Sequence, residues 1–134
     1  MANFKLSVVA PDRTVFEDEV QRAVFPAIYG YMGIMSNHEP MLVALKPGII
    51  SYVDARGQDH FVSVSGGFLE TSGTGAIVLA QDAIRSAEVD LAEAESQLEE
   101  ARKVLRGESS AMTLDQAMHE FDKATSRREL AKRR

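Results

Sequence analysis

The spacing of apolar residues changes once along this chain, at Ser86, and that change limits the fold more than any other feature of the sequence. Before Ser86, apolar and polar residues alternate in short runs separated by glycine, proline and polar turns, which is the pattern of strands with one buried face. After it, apolar residues recur every three or four positions, the period of an amphipathic helix. We therefore predict an α+β fold, with an N-terminal antiparallel β-sandwich over residues 1–85 and a C-terminal antiparallel two-helix hairpin over residues 86–134.

The alternating runs predict six short strands joined by polar turns. No helical pattern separates them, so a sandwich or barrel is favoured over a parallel sheet with crossover helices. Gly66 and Gly67 lie between apolar residues and suit a bend or bulge in a sheet. Residues 30–48 are predicted to form a turn, a loop and a short strand. The predicted strands are residues 4–8, 19–27, 48–53, 60–64, 67–71 and 76–80.

Two helices are predicted after Ser86. The first ends at Gly107, which occupies a typical C-cap position, and the second begins at Thr113, which forms a capping box with Gln116. The apolar positions of the first helix are Ala87, Leu91, Ala94, Leu98, Ala101 and Leu105. Those of the second are Leu114, Ala117, Met118, Phe121 and Ala124.

The apolar faces of both helices are rich in alanine, so the helices can approach closely but bury little area. Helices of this length are marginally stable alone. Two interpretations are therefore open: the hairpin is a permanently folded appendage, or it is a two-state element that lies against the sandwich in one state and extends along a partner in the other.

Composition excludes several classes of function. The chain has 134 residues, no cysteine and a net charge of −5, so disulfides and thiol chemistry are absent and an extended nucleic-acid-binding surface is not expected. It has no run of about 18 apolar residues that could span a membrane and no pattern of a secretory signal. His38, His60 and His119 lack metal-ligand spacing, and no phosphate-binding loop or nucleophile motif occurs. We therefore predict no catalytic residue, cofactor or metal.

The histidines are assigned structural or surface positions. His38 is expected to hold its loop by hydrogen bonding, with direct contact to a partner as the alternative, and His60 and His119 are expected to be plain surface residues. The six basic residues near the C-terminus allow two interpretations: a solvated helix end that complements the helix dipole, or an electrostatic contact with an acidic partner. These residues are Lys123, Arg127, Arg128, Lys132, Arg133 and Arg134.

A glycine-proline string carries a resemblance to a known family. Residues 30–48 read G-x-x-G-x-x-x-x-H-x-P-x-x-x-x-L-x-P-G, and residues 64–70 follow with V-S-G-G-F-L-E. Both strings, in this order, resemble the epsilon subunit of the F-type, proton-translocating ATP synthase, and the resemblance covers the whole chain.

The resemblance implies a non-catalytic part of a rotary machine. The sandwich would bind the gamma subunit and the c-ring in the central stalk, and the hairpin would reach the alpha/beta catalytic head transiently and restrain ATP hydrolysis. The complex would place the chain at the cytoplasmic face of the bacterial plasma membrane, as a peripheral subunit. The residues expected to contact partners are Gly30, Tyr31, Met32, Gly33 and His38.

The chain departs from the family pattern at two places. Many relatives carry an acidic or polar residue after the first loop glycine, where this chain has Tyr31, so an apolar contact with a hydroxyl group is expected there. Some relatives bind ATP through an [IL]-D-x-x-R-A pattern. Asp90 and Ala94 match it, but Glu93 replaces the arginine and would repel phosphate, so weak or no nucleotide binding is predicted.

Two other functions fit the same periodicities. A free-standing β-sandwich adaptor could use its coiled-coil hairpin to recruit an unrelated partner, but this leaves the glycine-proline string unexplained. A small enzyme built around His38 would need further catalytic groups that the sequence does not supply.

Overall fold

Seven strands come first and two helices follow in the computed structural model, which describes residues 3–133. A 3₁₀ turn, Ser86–Glu88, separates the strands from the helices. The strands are β1 (Phe4–Ala10), β2 (Arg13–Ala27), β3 (Gly30–Met35), β4 (Met41–Asp54), β5 (Asp59–Thr71), β6 (Gly75–Ala80) and β7 (Ala83–Arg85). The helices are α1 (Leu91–Leu105) and α2 (Leu114–Ala131). The predicted α+β class is confirmed.

The strands form one sheet that closes on itself. Their order is β1-β6-β5-β4-β2-β3, and β1 also pairs with the first half of β2, while β7 pairs with β5. All pairings are antiparallel except that of β1 with β6, which is parallel. β2 pairs with the strands at both ends of this order: its first half pairs with β1 and its second half with β3.

The apolar residues of the alternating pattern fill the interior of the closed sheet. On β1, Phe4, Leu6 and Val8 point inward and are almost completely buried, and equivalent residues of every other long strand meet them. Burying one such side chain contributes about 1.5–3 kcal/mol. The largest fully buried side chains are Tyr52, Phe4, Phe25, Leu6, Ile50, Leu69 and Leu130.

The prediction for residues 30–48 underestimated the strands. Residues 30–35 form β3, and β4 runs without interruption from Met41 through Pro47 to Asp54. β2 does not pair with β4 between Leu45 and Ser51, so on that side Pro47 needs no N–H for a ladder hydrogen bond. The predicted strand begins at Gly48, directly after Pro47, whereas β4 continues through the proline because the local sheet geometry accommodates it.

The first helix begins later than predicted. Residues 86–88 form the 3₁₀ turn, and the side chain of Asp90 accepts a hydrogen bond from the backbone N–H of Glu93 at 3.1 Å, which caps α1. Its end matches the prediction, because Gly107 has a φ of 78° and the N–H of Glu108 reaches the carbonyl oxygen of Lys103 at 2.8 Å.

The predicted capping box at the start of α2 is confirmed. The Thr113 hydroxyl accepts from the N–H of Gln116 at 3.1 Å, and the Gln116 side chain accepts from the N–H of Thr113 at 2.9 Å. The two helices pack on each other, and α2 also packs on β4 and β5.

Packing of α2 against the sheet changes which helix residues are buried. Leu130 and Ser126, both beyond the predicted apolar positions, are buried, whereas Leu114 and Met118 are more than half exposed. On α1, Val104 is buried in preference to Leu105. The periodicity identified the helices correctly, but the sheet decided which face of α2 is covered.

A candidate partner-binding surface

Four large apolar side chains form an exposed strip across β4, β5 and β6. Phe68 pairs in register with Leu79, and Leu42 and Ile77 pair with the same residue of β5, Glu70. Residues opposite each other in a sheet point to the same face, so the four side chains share one face, with Glu70 between Leu42 and Ile77. They are between 45% and 69% exposed. We call Leu42, Phe68, Ile77 and Leu79 the outer strip.

The outer strip is not among the predicted partner contacts, although the sequence carries a signal for it. In β6, Ala76, Val78 and Ala80 are buried, yet the intervening Ile77 and Leu79 are apolar as well. A strand with one face in water should carry polar residues at those positions. The uninterrupted apolar run of β6 therefore indicates that the outer face of this strand is covered as well as its inner face.

Gly67 allows the strands beneath the outer strip to approach each other. Its φ is 143°, and a Cβ atom placed on it would lie 2.1 Å from the carbonyl oxygen of Leu79. Only glycine fits this backbone conformation and this contact. The predicted bend at Gly66–Gly67 is thus a close approach between β5 and β6, directly beside Phe68.

A second apolar surface lies at the turn between β2 and β3. Tyr29 at its tip is 96% exposed, and Ile28 and Tyr31 are at least half exposed. Behind the tip is an open groove of ≈ 430 Å³, lined by residues 27–32 and 42–44. Leu42 belongs both to this groove and to the outer strip, so the two surfaces adjoin. We call residues 28–31 the Tyr29 turn.

The five residues predicted to contact partners do not form one cluster. Gly30, Tyr31 and Met32 line the groove, and Gly33 is exposed farther along β3. His38 lies apart from the groove and holds the loop that follows β3.

His38 links that loop to two other parts of the sheet. Its Nδ1 donates to the carbonyl oxygen of Met35, its Nε2 lies 3.1 Å from the carbonyl oxygen of Gly75, and its ring packs edge-on to Phe4 at 5.1 Å. These contacts agree with the predicted hydrogen-bonding role.

His60 is not the plain surface residue that we predicted. Its Nε2 lies 2.7 Å from a carboxylate oxygen of Asp54, and its ring stacks on Tyr52 at 4.8 Å. The Asp54 carboxylate also accepts from the backbone N–H groups of Gln58 and Arg56. The Gln58 hydrogen bond first, and the His60 contact next, hold the pKa of Asp54 below its usual value. These contacts of Asp54 close the β4–β5 turn. The imidazole ring of His60 is partly covered because His60 lies opposite Tyr52 in the sheet.

Three of the C-terminal basic residues, Lys123, Arg127 and Arg133, contact other residues of the chain. The Asp82 carboxylate accepts a hydrogen bond from Arg127, and Lys123 Nζ lies 3.4 Å from the same oxygen. Burial opposes ionisation of Asp82, but the positive charges of Arg127 and Lys123 outweigh it and hold the pKa of the carboxyl below its usual value. The guanidinium of Arg133 lies 5.1 Å from the ring centre of Phe61. Neither interpretation of the basic cluster anticipated these contacts, and Arg134 lies outside the described residues.

The region of the incomplete ATP pattern offers little space. A cavity of ≈ 60 Å³ is lined by the start of α1, including Asp90, Glu93 and Ala94, and by Arg127 of α2. Sites for small molecules usually measure about 300–1,000 Å³. Within residues 3–133 no three histidine, aspartate or glutamate side chains are grouped to hold a metal ion. Neither described helix has the length and hydropathy of a membrane-spanning segment.

Comparisons with known proteins agree on one family. The family model for the ATP synthase Delta/Epsilon chain, beta-sandwich domain, matches residues 3–86. An ATP synthase epsilon chain from Syntrophomonas wolfei subsp. wolfei is 36% identical over 126 residues, which cover 94% of this chain and 92% of the relative. That of Moorella thermoacetica is 32% identical over 127 residues, with 95% of each chain covered.

The fold is also found in solved structures. A chain in the cryo-EM structure of the Euglena gracilis mitochondrial ATP synthase, OSCP/F1/c-ring in rotational state 1, matches with a TM-score of 0.81 at 22% identity, covering 94% of this chain and 79% of that one. This likeness shows a shared fold, and the sequence relatives show the family. The chain belongs to the ATP synthase epsilon-chain family.

Proposed function

We propose that the chain is a non-catalytic central-stalk subunit that couples the c-ring to the catalytic head of an F-type ATP synthase. The observation that carries the proposal is the outer strip, because an exposed apolar patch that crosses three strands marks a surface covered by a partner. The relatives of this chain are ATP synthase epsilon chains. A subunit of this kind transmits torque through rigid, complementary faces and needs no catalytic group.

The outer strip is the proposed contact with the gamma subunit. Phe68 supplies an aromatic anchor near its centre, and Leu79 is its direct neighbour across the strands. Aromatic side chains surrounded by aliphatic ones are frequent centres of binding energy. Glu70, between Leu42 and Ile77, is the charged residue within the strip and orients the partner by its charge.

The Tyr29 turn is the proposed contact with the c-ring. Ile28, Tyr29 and Tyr31 are exposed at the end of the sheet, and Tyr31 occupies the position where many relatives have an acidic or polar residue. The contact would therefore be apolar with a hydroxyl group available for hydrogen bonding. Assembly there would hold the chain at the cytoplasmic face of the bacterial plasma membrane as a peripheral subunit.

The helical hairpin is the proposed restraint on ATP hydrolysis, with residues 1–85 as the anchor and residues 86–134 as the mobile part. In this structure α2 lies on the sheet, held by Asp82 and by the 2.8 Å contact between the hydroxyl groups of Ser63 and Ser126. Polar contacts can exchange for water when the helix leaves, which lowers the cost of undocking. The hairpin would reach the alpha/beta head only in the undocked state.

Reconstitution into a synthase depleted of its epsilon subunit tests the anchor. Leu79→Asp should lower the affinity for the depleted enzyme by at least about tenfold, because it places a charge in a dry contact. Ala55→Asp is the control, since Ala55 is exposed in the β4–β5 turn, at the opposite end of these strands from Leu42 and Phe68. Equal affinities of the two variants would contradict the proposed surface.

ATP hydrolysis by the reconstituted enzyme tests the restraint. The full chain should suppress hydrolysis, and a chain ending at Arg85 should rebind without suppressing it. If both forms give the same hydrolysis rate while both restore proton coupling, the hairpin is not the restraint and the chain acts in coupling alone.

A further inference from the structure

Strand β3 has one unpaired edge. Among residues 3–133 it pairs only with β2, and the register of that pairing is unbroken over six residues. Exposed edge strands are normally protected by charged side chains, proline or a bulge, because their free backbone groups pair with other chains. The sequence of β3, GYMGIM, contains no charged residue and no proline. Nothing in the strand itself prevents another strand from adding to this edge.

Two observations show which residues of β3 direct their backbone groups outward. In an antiparallel pair, hydrogen-bonded and non-hydrogen-bonded positions alternate. Pro26, which pairs with Tyr31, has no N–H to donate to β3, and the carbonyl oxygen of Met35 accepts from His38 and so points away from β2. The backbone N–H and C=O groups of Tyr31, Gly33 and Met35 therefore point away from β2. The carbonyl oxygen of Met35 already accepts a hydrogen bond from His38.

The side chains on this part of β3 leave a gap at Gly33. Tyr31 and Met35, two residues before and after it on the same face, are 60% and 49% exposed. A Cβ atom on Gly33 would meet only the Val24 side chain, at 4.0 Å. A bulky side chain of an added strand could lie over this glycine, as aromatic residues do over glycine in paired strands.

We propose that the outward edge of β3 binds an extended segment of a neighbouring rotor subunit by strand addition, with a large apolar residue of that segment over Gly33. The backbone hydrogen bonds would supply affinity, and the gap at Gly33 would fix which residue of the added strand lies opposite β3. This proposal rests on the proposed stalk function, because β3 begins at the Tyr29 turn and its edge is continuous with that surface. A symmetric pair with a second copy is disfavoured, since centring it on Gly33 would oppose two glycines and bury no side chain there.

Amide hydrogen exchange of the full chain, free and bound to the epsilon-depleted synthase, tests the proposal directly. In the free chain the amides of Tyr31, Gly33 and Met35 should exchange rapidly, whereas those of Met32 and Ile34 are protected by β2. Assembly should slow exchange at Tyr31 and Gly33 by at least about tenfold, the effect of one new hydrogen-bonded environment. Unchanged exchange at these two amides in a chain that has bound the synthase would overturn the proposal while leaving the stalk function intact. Failure of the chain to bind would instead overturn the proposed function.

A pair of variants at Gly33 isolates the backbone contribution. Gly33→Pro removes the outward N–H, which an edge strand tolerates, and Gly33→Ala retains it. The proline variant should bind the depleted synthase at least about tenfold more weakly than the alanine variant, with exchange at Ile34 showing that β3 remains paired in both. Equal affinities would contradict strand addition. Protection of Gly33 that depends on chain concentration without synthase would identify a second copy as the occupant and overturn the assignment to a rotor subunit.

Discussion

The hydroxyl oxygen of Ser63 on β5 lies 2.8 Å from that of Ser126 on α2, and both side chains are buried. This polar contact lies between the sheet and the helix, where apolar packing would make a stronger attachment. A buried hydroxyl that keeps its partner costs little, whereas one that loses it retains the full cost of desolvation. The docked position of α2 therefore depends on matched polar groups.

The first prediction concerns this pair. Ser63→Ala should destabilise the docked hairpin by about 1–3 kcal/mol because it leaves the Ser126 hydroxyl buried without a partner. The double variant Ser63→Ala/Ser126→Ala should recover most of that loss. Because the chain has no cysteine, one introduced cysteine on β5 and one on α2 can carry a fluorescent pair that reports docking. Additive effects of the two substitutions would contradict a direct interaction.

The second prediction concerns pH and Asp82. Its pKa is lowered in the docked state, so docking releases protons and is favoured above the ordinary value of 3.8. This contribution should be lost as the pH falls below 3.8 and through the lower pKa of the docked state. The fluorescent pair should show undocking over that acidic range, and added salt at neutral pH should weaken docking because Asp82 is partly exposed.

Asp82→Asn supplies the control for the acid transition. It should remove the attraction to Arg127 and Lys123 and leave a docking equilibrium that depends less on pH and salt. Glu19→Gln, which removes an exposed carboxylate on β2 and not on β4 or β5 beneath α2, should behave as the unmodified chain does. An acid transition of unchanged size in Asp82→Asn would assign it to other groups.

The third prediction concerns the close approach at Gly67. Gly67→Ala places a Cβ atom 2.1 Å from the Leu79 carbonyl oxygen, in a backbone conformation that alanine avoids. The free energy of unfolding should fall by more than about 2 kcal/mol, and binding through the outer strip should weaken as well. Gly73→Ala is the matched control, because a Cβ there meets nothing within 4 Å. Denaturant unfolding of both variants measures the difference.

The fourth prediction concerns Asp54. Its pKa, followed by NMR, should lie below the ordinary carboxyl value, and His60→Gln should raise it only in part. The reason is that the backbone hydrogen bond from Gln58, which the substitution leaves in place, is the largest cause of the lowered pKa. A full return to the ordinary value in His60→Gln would assign the shift to the histidine alone.

Local sequence determined the class and order of the elements in this protein. Alternation predicted the strands on either side of the turns at residues 54–57 and 72–75. The helix ends predicted from Thr113, Gln116 and Gly107 are confirmed, because capping depends on groups a few residues apart. The motif strings also predicted the family. Errors occurred where a distant contact decides: Pro47 is accommodated within a strand by the interrupted β2–β4 pairing.

Surfaces required the tertiary structure. The outer strip combines residues from three strands, and only their register places Phe68 beside Leu79. Leu130 is buried because β4 and β5 lie beneath α2, and Asp82 receives its basic partners from a helix about 40 residues later. Sequence by itself determined which segments are strands and helices, since those preferences act over a few residues. The tertiary structure decided which faces are covered and which remain for partners, since burial and pairing join residues that are far apart in the chain.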